Sequence, residues 1–179
     1  MEITGRLTII CLLMYFGTTI QMHAETKEAT WATPLHIEVS MGGSSPHKEI
    51  LPFGTALDVN YRIKRFSIHT LLEGTYFLPK QNITKNYNQT ANLGGGIGFE
   101  ILPEDINNRS VFEVRASVTR SLGSSDYRNT DCKIGIYWLA NPYRRSMTPT
   151  VGFGYCLRNF SNQDLHTYNG MYVSIGVRF

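Results

Sequence analysis

From Leu35 onward the chain repeats one pattern, an apolar residue at every second position with small, polar or charged residues between. Successive side chains of a β-strand point to opposite faces, so strict alternation marks strands with one apolar and one polar face. Eight such stretches occur: LHIEVSMG, FGTALDVNYR, FSIHTLLEGTY, ANLGGGIGFEI, VFEVRASVTR, DCKIGIYWL, VGFGYCLR and the closing MYVSIGVRF. Polar, Gly- or Pro-containing segments separate them, with a tight turn expected near Ile63-Lys64. Eight amphipathic strands with no helical periodicity between them predict an all-β fold, an eight-stranded antiparallel up-and-down barrel.

A chain of 179 residues suits one such domain. Its 17 basic and 14 acidic residues give a net charge of +3, scattered without a basic stripe, which argues against a nucleic-acid partner. At 42% hydrophobic and 12% aromatic residues it is not a disordered chain. Residues 1–24 read as an export signal: Met1 to Arg6 carries one Arg, Leu7 to Ile20 is apolar, and QMHA offers Ala24 at a cleavage point. That apolar run is short for a membrane-spanning helix. It also continues well past Cys11, which excludes a lipoprotein reading. Residues 25–34 form a lead and 35–179 the barrel. Cys132 falls on the apolar parity of its strand and Cys156 on the polar parity of the next, so their Cβ atoms point to opposite faces and two free thiols are expected.

Alternation alone leaves open which face is outside. Glycines concentrate on the polar face (Gly54, Gly94, Gly96, Gly98, Gly135, Gly152, Gly154 and Gly176), as expected where a narrow interior must admit larger neighbours. The same face carries both signs of charge: Glu38, Asp58, Glu73, Glu100 and Glu113 against Arg62, Arg115, Lys133, Arg158 and Arg178. Enclosed charges are tolerable when paired, and this inventory permits pairing. Aromatics gather toward the ends of the apolar stripes (Phe53, Tyr61, Phe66, Tyr76, Phe112, Trp138 and Phe179), as in the interfacial girdles of membrane barrels. Arg120, the one charge on the apolar parity, lies at a strand end where it can reach headgroups. Together these features favour a transmembrane barrel with its apolar face outward and a filled polar interior. A secreted, soluble lipocalin-like barrel is the inverted alternative.

The export signal, eight strands of bilayer-crossing length and the aromatic Phe179 resemble the small OmpA/OmpX-type outer-membrane barrels of Gram-negative bacteria. The resemblance covers residues 35–179 in architecture. It implies an outer-membrane location, with outer-membrane lipids and lipopolysaccharide as surroundings and the barrel-assembly machinery as a partner that reads Val173, Ile175, Val177 and Phe179. It places both termini in the periplasm and the loops Gly43 to Pro52, Leu78 to Asn88, Ser121 to Thr130 and Phe160 to Thr167 outside. The turns Pro103 to Ser110 and Ala140 to Pro149 are as long as these loops, so loop length does not confirm the orientation.

LGGGIGF superficially suggests a phosphate-binding loop, but Phe99 stands where the third Gly is needed and no helix follows. His36 and His69 fall on the inward parity and read as interior hydrogen-bonding groups; no metal and no cofactor are expected. The sequons at Asn82, Asn88, Asn108 and Asn159 matter only in a eukaryotic secretory route. The segment RNFSNQDLHTYNG, Arg158 to Gly170, is similar to the active-site segment of PagL-type lipid A 3-O-deacylases, which are also eight-stranded barrels. The resemblance implies Ser161 as nucleophile and Asn162 as oxyanion support. Asn159, however, occupies the position of the family's histidine base, and an amide cannot accept the serine proton. His166 substitutes only if the loop folds back. The expected function is therefore a non-enzymatic one, in envelope integrity or binding through surface loops. A deacylase, active or degenerate, is the alternative.

Overall fold

The computed structural model describes residues 34–46, 50–79, 88–101, 110–123, 127–140, 147–161 and 167–179. The expected export segment and nearly all of the lead lie outside these residues. Eight strands follow in order: β1 (Leu35–Ser44), β2 (Ile50–Ile63), β3 (Phe66–Pro79), β4 (Asn88–Ile101), β5 (Ser110–Leu122), β6 (Asn129–Ala140), β7 (Thr148–Phe160) and β8 (Tyr168–Arg178). Each pairs antiparallel with its sequence neighbours, and β8 pairs with β1 to close the barrel. The fold is thus the all-β, up-and-down barrel that the alternation predicts.

Register carries the sequence pattern into space. In β1, Leu35, Ile37, Val39 and Met41 are exposed, while His36 and Glu38 between them are buried. The same division holds around the wall, from Leu57 and Val59 of β2 to Val173 and Ile175 of β8. The apolar face is therefore outside, and Ile97, at 63% exposure, is among its most open residues. Carried across the sheet, the register runs Glu38, Asp58, Leu71, Gly94, Thr119, Asp131, Arg158, Tyr168. Tyr168 lies four residues before Tyr172, the partner of Ser44, so one circuit climbs ten residues along β1. A stagger of that size tilts the strands by roughly 40° and leaves an interior that side chains can fill.

Several strands run further than the alternation suggests. β2 begins at Ile50 and β4 at Asn88, because backbone pairing such as Ile50 with Pro79 and Asn88 with Phe77 continues past the end of the hydrophobic pattern. The expected loops shrink accordingly at both ends. The tight turn falls at Lys64-Arg65, one residue later than expected, and Lys64 takes a positive φ of 58° there. The Arg62 Nε donates to the Lys64 carbonyl across it, at 2.7 Å.

Cys132 is exposed on the outer face and Cys156 is buried on the inner face, and neither is bonded. Lys133 is the register partner of Cys156, so the two thiols are offset as well as opposed. Alkylation after non-reducing denaturation is expected to add one group to each of the peptides carrying Cys132 and Cys156. Absence of both additions would contradict this arrangement.

Candidate functional site

The interior is a stack of charged groups contributed by strands far apart in sequence. Its largest cluster lies toward the end where the chain termini of the barrel meet. Arg115 of β5 donates Nη1 and Nη2 to the two carboxylate oxygens of Glu38 in β1, at 3.1 and 2.9 Å, and Nε to Glu113 at 3.1 Å. Arg178 of β8 reaches the same two carboxylates, Glu38 at 3.1 Å through Nε and Glu113 at 2.8 Å through Nη2. Thr150 of β7 adds a hydroxyl to Glu38 at 3.2 Å. The Arg115 guanidinium lies 3.9 Å from the ring centre of Tyr137 in β6. Forked, charge-assisted bonds of this kind fix geometry as well as supplying energy.

His69 completes the cluster. Its Nδ1 is 2.7 Å from Asp58, and its Nε2 is 2.7 Å from the Ser67 hydroxyl, which donates onward to Glu113 at 2.5 Å. With the Ser67 proton committed to Glu113, both ring nitrogens face acceptors, an arrangement satisfied by the doubly protonated ring. Three carboxylates, Glu38, Asp58 and Glu113, then meet three cations, Arg115, Arg178 and His69. The backbone at Gly98 comes close to Ser67, His69 and Glu113, and a Cβ there would collide with all three side chains.

Further pairs continue toward the other end. Lys133 bonds Glu73 at 2.7 Å, with Thr119 donating to the same carboxylate at 3.1 Å. Arg158 forks onto Asp131 at 2.8 and 2.5 Å. Beyond them Asn92, Ser121 and Asn129 bond one another, and Phe77 packs with Tyr127 and Phe160 at centroid distances of 5.1 and 5.7 Å. At the terminal end, Arg62 pairs with Glu100. Between the layers Tyr137 and Tyr172 meet hydroxyl to hydroxyl at 3.0 Å and lie over Gly135, Gly152 and Gly154, where any Cβ would strike a ring or backbone. What remains is a cavity of about 90 Å³, lined by Ser40, Glu73, Lys133, Tyr172 and Ser174 among others, with room for a few waters.

All ten charged residues singled out on the inward parity thus face the interior and each meets an opposite charge there. Sequence reading missed Asp131, the partner of Arg158, which opens the sixth stretch one residue ahead of its first apolar-parity position. Extending the alternation back two residues from Lys133 would have placed Asp131 inward. Tyr137, Tyr172, Thr119 and Thr150 also take part and carry no charge signal. LGGGIGF is regular β4 wall, with Gly94 paired to Thr119 and Gly96 to Ser117. Among the described residues no group of three His, Cys, Asp or Glu side chains could hold a metal ion.

At the proposed deacylase segment, Asn159 faces outward on β7, and its Oδ1 accepts a hydrogen bond from Thr167 at 3.0 Å. Ser161 follows, exposed, with its N–H donating to the Arg128 carbonyl at 2.7 Å. Asn162 and His166 lie outside the described residues. Val173, Ile175 and Phe179 are exposed, and Phe179 exchanges backbone hydrogen bonds with Ile37 at 3.2 and 2.8 Å.

The fold and its interior define a class: a closed eight-stranded barrel with an ion-paired lumen and an apolar outer wall. Comparison with known proteins returns no matching family, characterised protein or solved structure.

The interior cluster sets one expectation for stability. Arg115→Met leaves Glu38 and Glu113 short of a cation inside the barrel and should cost about 3–5 kcal/mol. Arg115→Lys should recover only part of this, since an ammonium cannot fork onto Glu38. Urea midpoints of the folded barrel in detergent check both, and an unchanged midpoint for the Met variant would contradict the assignment.

Proposed function

We propose that this protein is a non-enzymatic outer-membrane barrel of the small OmpA/OmpX type, acting in envelope integrity or in binding through its surface loops. The carrying observation is the outer wall: large apolar side chains are exposed on all eight strands, while charged groups are buried within. In water such a surface would far exceed the apolar patch a soluble monomer tolerates. A lipocalin-like barrel would need the opposite assignment of faces.

The aromatic side chains support the same reading. Phe112 is the register partner of Trp138, Phe66 packs on Phe99 with centroids 5.0 Å apart, and Tyr61 and Phe179 lie at the same end of the barrel. Together they make a belt at the terminal end, as a membrane–water interface favours. Phe53 and Tyr76, register partners, lie toward the opposite end of the apolar band on that side. The layered ion pairs and the aromatic packing at Phe77 argue against a wide aqueous pore, so activity belongs to the loops and the outer surface.

Expression and deletion strains test this reading. The protein should fractionate with outer membranes, show heat-modifiable gel mobility, and leave the lipid A mass spectrum unchanged. Recovery as a detergent-free soluble protein would overturn the location. Loss of one acyl chain from lipid A on expression would overturn the non-enzymatic assignment.

A further inference from the structure

The outer wall is apolar but not uniform. At the loop ends of β5, β6 and β7, one register line carries Arg120, Thr130 and Asn159 across three adjacent strands. Arg120 and Asn159 are exposed and Thr130 is half-buried, all on the outward side. Arg120 is the one charged side chain at an outward strand position among the described residues. Thr167, just before β8, joins the line by donating to Asn159 Oδ1. Arg128 and Ser161, both exposed and linked by a backbone hydrogen bond, extend it toward the loops.

This row is dominated by donors. The guanidinium groups of Arg120 and Arg128 and the Ser161 hydroxyl are exposed, with the half-buried Thr130 among them. Because Thr167 occupies the carbonyl end of the Asn159 side chain, the amide NH2 is left as a donor. Within the described residues neither Arg120 nor Arg128 forms an ion pair, and no carboxylate occupies an outward strand position. Planar guanidinium groups with neighbouring neutral donors suit a phosphate, whose oxygens only accept. Directly below Arg120 on the wall lies a shallow depression formed by Gly95, Ile97, Ala116, Val118 and Cys132. Gly95, with no side chain, and the single methyl of Ala116 let a hydrocarbon chain lie close to the strands. On the far side, Leu51, Phe53, Tyr76 and Leu78 hold the corresponding loop ends of β2 and β3, so the polar row is one-sided.

We propose that the outward row Arg120–Thr130–Asn159, extended by Arg128, is a docking surface for a phosphate-bearing membrane lipid, whose acyl chain lies in the Gly95–Ala116 depression. The proposal rests on the reading of the outer wall as lipid-facing and adds a specific lipid chemistry to one sector of it. The headgroup supplies the anion and the depression holds the chain against the wall, which a free phosphate could not exploit.

The test places the full folded barrel in nanodiscs of zwitterionic phospholipid doped with bisphosphorylated lipid A, or with the same lipid A stripped of phosphate. Lipid retained on the barrel is read by native mass spectrometry. The wild type should retain the phosphorylated form about tenfold or more over the stripped form, an effect of the size two surface arginines supply. R120Q/R128Q should lose most of that preference while keeping its heat-modifiable mobility, and R120K should keep part of it. Equal retention of both lipids, or a preference untouched by the double variant, would overturn the inference while leaving the membrane reading intact. Displacement of the lipid by millimolar inorganic phosphate would also overturn it, by assigning the row to a free anion. Failure of the wild type to enter any bilayer would instead bring down the membrane reading, and this inference with it.

Discussion

Glu38 shows the constraint on which the structure depends. A closed barrel of eight strands admits too little water to solvate isolated charges, so each interior charge must find a partner on another strand. Glu38 sits on β1 and meets Arg115 from β5 and Arg178 from β8. Arg178 is also its register partner across the closing seam. One carboxylate thereby links the first strand, the last strand and the wall opposite. Such a cluster specifies closure in this register: sliding β8 by one residue would turn Arg178 outward and leave Glu38 with one guanidinium.

Size complementarity supports the charge arrangement. The bulky interior rings are Tyr137 and Tyr172, and facing them are positions with no side chain at all. Gly98 clears the space taken by Ser67, His69 and Glu113, and Gly135 and Gly154 clear the space taken by Tyr172. Glycine costs conformational entropy within a strand, and at Gly98, Gly135, Gly152 and Gly154 a side chain would displace a charged network or an aromatic ring. The interior is consequently a packed core built from polar material, and the outer wall is where apolar side chains remain uncovered.

The fold was legible because the relevant signal is local. Alternation over eight to eleven residues reports a two-faced strand, and eight of them without helices leave few architectures. Strand ends were less legible, since pairing such as Asn88 with Phe77 depends on the neighbouring strand and not on the pattern of β4 itself. Within the site, charges on all eight strands stood out by parity, Lys133 of β6 among them, yet which acid meets which base is set by register around the barrel. Nothing local tells that Glu73 of β3 meets Lys133 of β6, or that Glu38 reaches β5. Asp131 was overlooked at a strand edge, and the outward row through Arg120, Thr130 and Asn159 was invisible until register aligned three residues from three separate segments. The deacylase-like segment was legible as Ser161 beside Asn159. The hydrogen bond that engages Asn159 with Thr167 was not.

The proposed membrane location requires that the apolar wall face lipid. Trp138, outward on β6, reports on this directly when Trp31 is replaced by phenylalanine so that one indole remains. In bilayers whose phospholipids carry bromine on the acyl chains near the headgroup, Trp138 fluorescence should be strongly quenched, while aqueous acrylamide should have little effect. Quenching by acrylamide with no response to the brominated lipid would contradict the outward-facing assignment of the apolar wall to the membrane.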